Sequence, residues 1–304
     1  LTGARARRLA ALALALLLAA CAGERLALPG NRSALVERVP GPAPTLVVLH
    51  GAALDGSETR HMLRLSEQAR AAGVALVFPE AAGPFWNDEA LAMRAPGLLS
   101  AVDDVAFLDA LFDRLTAERI ADPARIHLAG ISNGGMMALR YACRRARRIA
   151  SLALMQTTQP ADPPCTPARP LPVLIAAGTE DPIIRWDGAV LFGPLVEVER
   201  RLSVPEGFAA WRAANGCAGL APPVMLPRRG GADDPAVLLH QATGCRHDVA
   251  TLLYEIRGGG HRLPGRDDWP LLRLFGRATP DIEAGELLLG FALDPATPPG
   301  LPKR

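Results

Sequence analysis

From residue 44 onward, short apolar runs alternate with amphipathic stretches. Residues 45–50 (TLVVLH) and 74–78 (VALVF) are apolar and rich in branched side chains, the pattern of strands buried on both faces. Between them, residues 57–72 are polar and Arg/Glu-rich with Met62, Leu63 and Leu65, which predicts a surface helix. Val105, Leu108, Phe112 and Leu115 fall on one face of a helix over 101–117, and Pro123 marks the end of that unit. Residues 125–129 form the next expected strand. A Gly-rich turn follows it at once, and then a helix whose apolar face is Met136, Leu139, Cys143 and Ala146. Further strands are expected at 150–155, 171–177 and 250–256, and helices near 205–215 and 282–292. Strand alternating with helix predicts an α/β fold, a mostly parallel central sheet with helices on both faces. Ahead of it, residues 22–43 carry Pro29-Gly30 and Pro40-Gly41-Pro42 with room for one strand at 33–39. Residues 217–248 read as a loop or small hairpin.

A length of 304 residues with 49% hydrophobic content supports one large core. The expected division is a leader at 1–20, a tether and first strand at 21–42, a single α/β domain at 43–293 and a tail at 294–304. Formal charge is +2, of which Arg5, Arg7 and Arg8 in the leader supply three positive charges, leaving −1 for the rest. No field toward nucleic acid is implied. Arg144, Arg145, Arg147 and Arg148 instead suit the negative end of a helix dipole.

The basic start and the Ala/Leu run at 9–20 read as an export signal. That run spans roughly 18 Å as helix, short of the ~30 Å hydrocarbon core. It ends in Leu18-Ala19-Ala20-Cys21, which resembles a bacterial lipobox with Cys21 as the lipid-bearing residue. The expected location is the cell envelope, held by the N-terminal lipid at an outer membrane or cell surface, or the medium. In such an oxidising compartment Cys143, Cys165, Cys217 and Cys245 allow three disulfide pairings. Cys143–Cys165 and Cys217–Cys245 are favoured because each closes a short local loop. No spacing suits a zinc site, and no metal or organic cofactor is expected.

Gly130-Ile131-Ser132-Asn133-Gly134 is Gly-x-Ser-x-Gly between a strand and a helix. Glycines on either side permit a turn too tight for side chains. The turn lifts Ser132 to a helix N-terminus, where unsatisfied N–H groups face developing negative charge. A serine nucleophile needs a base. Of six histidines, His261 stands in the Gly258-Gly259-Gly260-His261 loop after the last strong strand, free to fold back over the sheet edge. His127 lies within a strand, His61 on a polar helix, and His240 and His247 in the 217–248 insertion. Asp181, after the strand at 171–177, is placed to orient His261, with Glu180 and Asp187 as rivals. The order Ser132, Asp181, His261 is that of the α/β-hydrolase fold. Oxyanion donors are expected from the backbone N–H of Asn133 and of Ala52 in the loop after 45–50, which His50 braces.

The block VDDVAFLDALFDRL…ADPARIHLAGISNGGMMALRYAC resembles the polyhydroxybutyrate depolymerase-like esterases, neighbours of the feruloyl and acetylxylan esterases. LHGAALDG, GTEDPI, WRAANGC and LLYEIRGGGHRLPG match further blocks of that family in order, across most of 44–292. The resemblance implies a secreted serine esterase with Ser132 as nucleophile, Asp181 as acid and His261 as base, and it supports the Cys217–Cys245 pairing. It also implies that Trp86 lies near the cleft, with His50 and Trp86 as candidate substrate contacts. Two places depart from the family: Ala52-Ala53 stands where a cysteine and a polar residue are usual, and Leu263 where a tryptophan is. The expected substrate is a hydroxyalkanoate oligomer or, alternatively, a feruloyl or acetyl ester on plant polysaccharide, acted on by a monomer. A reading from another class is an inactive hydrolase scaffold serving as a surface binding protein.

Overall fold

A computed structural model describes residues 23–89, 102–162, 164–192, 196–265 and 274–301. The leader and Cys21 lie outside the described residues. Where one strand is expected at 33–39 there are two, β1 (Glu24–Leu28) and β2 (Arg32–Glu37), paired antiparallel. β3 (Ala43–Leu49) follows. The helix expected over 57–72 is two, α1 (Gly56–Leu63) and α2 (Ser66–Ala71). Asp55 and Glu58 form a capping box at the start of α1, and Arg64 ends it in the left-handed region at φ 50°. A cap of this kind contributes about 1 kcal/mol and sets the first residue of the helix.

β4 (Ala75–Pro79), α3 (Asp104–Ala117), β5 (Ala121–Ile131), α4 (Asn133–Arg145), β6 (Ser151–Met155) and β7 (Val173–Gly178) follow in alternation. Pro123, expected to end the preceding unit, lies inside β5. The register of β5 on β3 shifts between Ala43 and Thr45, so the proline occupies an irregularity where no ladder N–H is required. After β7 a hairpin absent from the sequence reading appears, β8 (Ala189–Phe192) with β9 (Val196–Arg200). α5 (Val204–Ala214), β10 (Gly219–Leu220), β11 (Val224–Met225), β12 (Ala236–Thr243), β13 (Thr251–Arg257) and α6 (Ala284–Leu293) complete the chain.

β4-β3-β5-β6-β7-β13 run parallel at the centre of the large sheet. β2 and β1 extend one edge and β12 with β10 and β11 the other, all antiparallel. Period-two alternation divides the core. Val47 and Leu49 pack under α3, α4 and α5 with Phe112, Tyr141, Phe208 and Trp211. Leu46 and Val48 pack under α1, α2 and α6 with Leu63, Leu287 and Phe291. Both favoured disulfides are present. Cys143–Cys165 ties α4 to the loop before β7, and Cys217–Cys245 closes the 217–248 segment around β10–β12. The arginines ending α4 are paired locally, Arg144 with Glu89, Arg145 with Asp109 and Arg148 with Asp113. Among the described residues, no helix is long and apolar enough to cross a membrane.

Candidate active site

The C-terminal ends of β3, β5 and β7 and the loop after β13 converge on one edge of the sheet, the edge at which ligands bind in open α/β folds. Ser132 stands between β5 and α4 at φ 54°, ψ −121°, a conformation that L-residues rarely adopt. Its N–H donates to Met155 O at 2.8 Å and its C=O accepts from Met136 N–H at 3.0 Å, so the turn is fixed from both sides. A Cβ on Gly130 would lie 2.2 Å from Gly134 O, and one on Gly134 would lie 2.2 Å from His50 O. No side chain fits at either position, which is why glycines flank the serine.

The turn after β7 carries Asp181, whose side chain is 1% exposed. Its Oδ1 accepts from the N–H groups of Ile183 and Ile184, at 2.8 and 2.9 Å. Its Oδ2 lies 2.6 Å from His261 Nδ1, and His261 Nε2 lies 2.9 Å from Ser132 Oγ. The carboxylate accepts a hydrogen bond from Nδ1–H, which keeps the proton on that nitrogen and leaves Nε2 as acceptor for the serine hydroxyl. The glycines before His261 allow backbone contact. A Cβ on Gly178 would lie 2.2 Å from Gly259 O, and Glu180 N–H donates to that same oxygen at 2.8 Å. His261 N–H donates to Phe275 O at 2.7 Å, holding the loop from outside. Of the rivals to Asp181, Asp187 is paired with Arg185, and the Nδ1 of His261 is taken by Asp181 rather than by Glu180.

Gly51 brings the loop after β3 against the serine, a Cβ there lying 3.7 Å from Ser132 Cβ. The N–H groups of Ala52 and Asn133 have no acceptor among the described residues. His50 and Trp86, candidate substrate contacts by sequence, are placed otherwise. His50 is 1% and Trp86 0% exposed, so neither presents surface to a ligand. Trp86 Nε1–H donates to His50 O at 3.1 Å, and the two rings lie 5.1 Å apart. His50 Nε2 accepts from Ala81 N–H and Nδ1 faces Gly51 O, which requires the neutral ring with its proton on Nδ1. Burial also lowers the His50 pKa. Both residues brace the Gly51 loop from beneath.

The other described histidines lie apart from the serine. His127 is buried beside Ser151, and burial with Arg125 nearby lowers its pKa to about 4. His240 pairs with Glu255. Sequence reasoning missed Gln156, at φ 51° just after β6. Its Oε1 accepts from Gly178 N–H at 3.2 Å and its Nε2 donates to Arg262 O at 2.6 Å, joining the arm that carries Asp181 to the one that carries His261. A glutamine after a strand gives no such signal in sequence. Also unforeseen is Arg201, buried between Asp88 and Glu199 at the base of the β8–β9 hairpin. Among the described residues no group of three or more His, Cys, Asp or Glu side chains is placed to hold a metal.

An acetyl xylan esterase from Aspergillus awamori superposes with a TM-score of 0.54 at 12% identity, over 78% of this chain and 93% of that one. The chain has an α/β-hydrolase fold. Its sequence is 34% identical over 152 residues to NocK of Nocardia uniformis subsp. tsuyamanensis, which is assigned as an esterase. It is 28% identical over 178 residues to feruloyl esterase B of Piromyces equi. These matches cover 49% and 57% of this chain but only 43% and 32% of those proteins, so the chain spans less than half the length of either. No family model matches.

Proposed function

We propose that this α/β-hydrolase chain is a serine esterase that cleaves carboxylic esters through an acyl-enzyme. The observation that carries the reading is the unbroken hydrogen-bonded line Ser132–His261–Asp181, set on a strained turn beside two N–H groups that have no acceptor among the described residues. Ser132 Oγ attacks the ester carbonyl while His261 Nε2 takes its proton. Asp181 holds the imidazolium by Nδ1, and the N–H groups of Ala52 and Asn133 receive the oxyanion. His261 then protonates the departing alkoxide. Water, deprotonated by the same nitrogen, releases the acid from Ser132.

The relatives that resemble this chain are an assigned esterase and a feruloyl esterase, and the structural neighbour is an acetyl xylan esterase. These names favour feruloyl or acetyl groups on plant polysaccharide over hydroxyalkanoate oligomers as the substrate. Two disulfides suit an extracellular protein, and Cys21 is the residue we assign to lipid attachment. The test is turnover of a panel of feruloyl, acetyl and 3-hydroxybutyryl esters by the wild type and Ser132→Ala, with a fluorophosphonate probe on both. Ester turnover and labelling that both vanish in Ser132→Ala support the esterase. An unlabelled wild type that hydrolyses nothing on the panel would favour a binding protein on a hydrolase scaffold.

A further inference from the structure

The side chain of Asn133 has a part in this site separate from its backbone N–H. Asn133 is the first residue of α4 and is buried. Its Oδ1 accepts from Trp86 N–H at 2.7 Å, and its Nδ2 donates to Trp86 O at 3.2 Å. One carboxamide therefore satisfies both backbone polar groups of a single residue on another loop. That loop in turn holds the strand-end loop after β3. Trp86 Nε1–H donates to His50 O, and Pro84 O accepts Ala53 N–H at 2.7 Å. Ala52 lies between those two attachment points. The same His50 oxygen lies so close to Gly134 that no Cβ fits there.

We propose that the Asn133 carboxamide is a positioning group which, through the backbone and indole of Trp86, sets the separation between the Asn133 and Ala52 N–H groups. The inference rests on the esterase reading, in which these two N–H groups receive the oxyanion. The donors sit on different elements, α4 and the loop after β3, and no covalent connection shorter than the intervening fold joins them. Donors aimed at an oxyanion stabilise it because they are already in place, and the advantage falls steeply when they move by a fraction of an ångström. The carboxamide and the buried indole supply a direct strut between the two. Its loss weakens binding of the transition state and leaves binding of the ground-state ester nearly unchanged, so it is read in kcat rather than KM.

The test compares three variants with the wild type on whichever ester of the panel the wild type hydrolyses fastest. Trp86→Phe keeps a buried aromatic ring and the backbone contacts to Asn133 but removes the donor to His50 O together with part of the ring's packing. Asn133→Ala removes both contacts to Trp86. Asn133→Asp is isosteric, and its carboxyl donates to Trp86 O only while protonated. The expected result is a kcat reduced about 10- to 100-fold in Trp86→Phe and Asn133→Ala, with KM within about threefold. A boronic acid that mimics the tetrahedral adduct loses affinity by the same factor. The ratio of Asn133→Asp kcat to wild-type kcat rises as pH is lowered and the introduced carboxyl takes up its proton, a trend absent from Asn133→Ala. Circular dichroism and thermal melting confirm that each variant is folded at the assay temperature. Folded Trp86→Phe and Asn133→Ala with wild-type kcat would overturn the proposal, as would a fall in kcat with boronate affinity unchanged. A wild type that hydrolyses no ester is a different outcome: it removes the esterase reading and the positioning role with it.

Discussion

Ser132 gives a prediction about stability that does not depend on knowing the ester. Replacing it by alanine or by glycine removes the same hydroxyl and the same 2.9 Å contact to His261. The two variants differ only in whether a Cβ remains on a backbone at φ 54°, ψ −121°. At an ordinary position glycine is less stable than alanine by about 0.5–1 kcal/mol, because its unfolded chain is freer. At this position the Cβ carries a strain of about 1–3 kcal/mol that glycine does not feel. The usual ranking should therefore invert, with Ser132→Gly more stable than Ser132→Ala by about 1 kcal/mol. For a chain of this size that is a melting difference of roughly 2 °C. The bonds Ser132 N–H to Met155 O and Met136 N–H to Ser132 O hold the turn in place in both variants, so neither escapes by relaxing it. Urea unfolding of both at neutral pH, fitted with a common slope, measures the difference. An alanine variant as stable as the glycine variant, or more so, would refute the account of strain stored at the serine.

Gly178→Ala places a Cβ 2.2 Å from Gly259 O, over an ångström inside ordinary contact, and must push the loop bearing His261 outward; kcat on the best ester should fall about 100-fold in steady-state assays while Ser132 stays in place. His127 is held neutral, with its pKa lowered to about 4, so the unfolded chain takes up a proton first as pH falls below about 6.5 and stability declines. Urea unfolding should show about 2 kcal/mol less stability at pH 5 than at pH 7.5 from this group, and His127→Gln should lose that increment of pH dependence. Replacing either cystine by a pair of serines should cost about 3–4 kcal/mol in the same assay, since each closes a loop of 20–30 residues.

The parts legible in the sequence were those in which local chemistry and tertiary demand agree. Val47 and Leu49 alternate with Leu46 and Val48 because both faces of β3 are covered, and an apolar run reports that directly. Ser132 was legible because its glycines are required by backbone contacts that any strand–turn–helix of this tightness makes. His261 and Asp181 followed from chain order and their positions after strands. What failed was set by partners distant in sequence. Glu199 and Arg201 look like solvent-facing residues until Asp88, more than a hundred positions earlier, completes their buried cluster. With those charges read as exposed, β8 and β9 had no apparent buried side. The cleft contact expected of Trp86 rests on the family resemblance, and nothing in its sequence neighbours shows that Asn133 and His50 take up its polar groups. Gln156 gives no local sign that it joins Gly178 to Arg262.

The two oxygens of Asp181 face different tasks, and this makes the β8–β9 hairpin a separable part. Oδ2 serves His261, while Oδ1 grips the N–H groups of Ile183 and Ile184, where the hairpin leaves the sheet. Where the chain returns to the base of the hairpin, Arg201 is fastened by Asp88 and Glu199 and by its own N–H to Gly188 O. A grafted hairpin that preserves residues 181–184 and 199–201 together with Gly188 keeps both fastenings. The span between them can then be exchanged without a shift in the Asp181 carboxylate that holds His261.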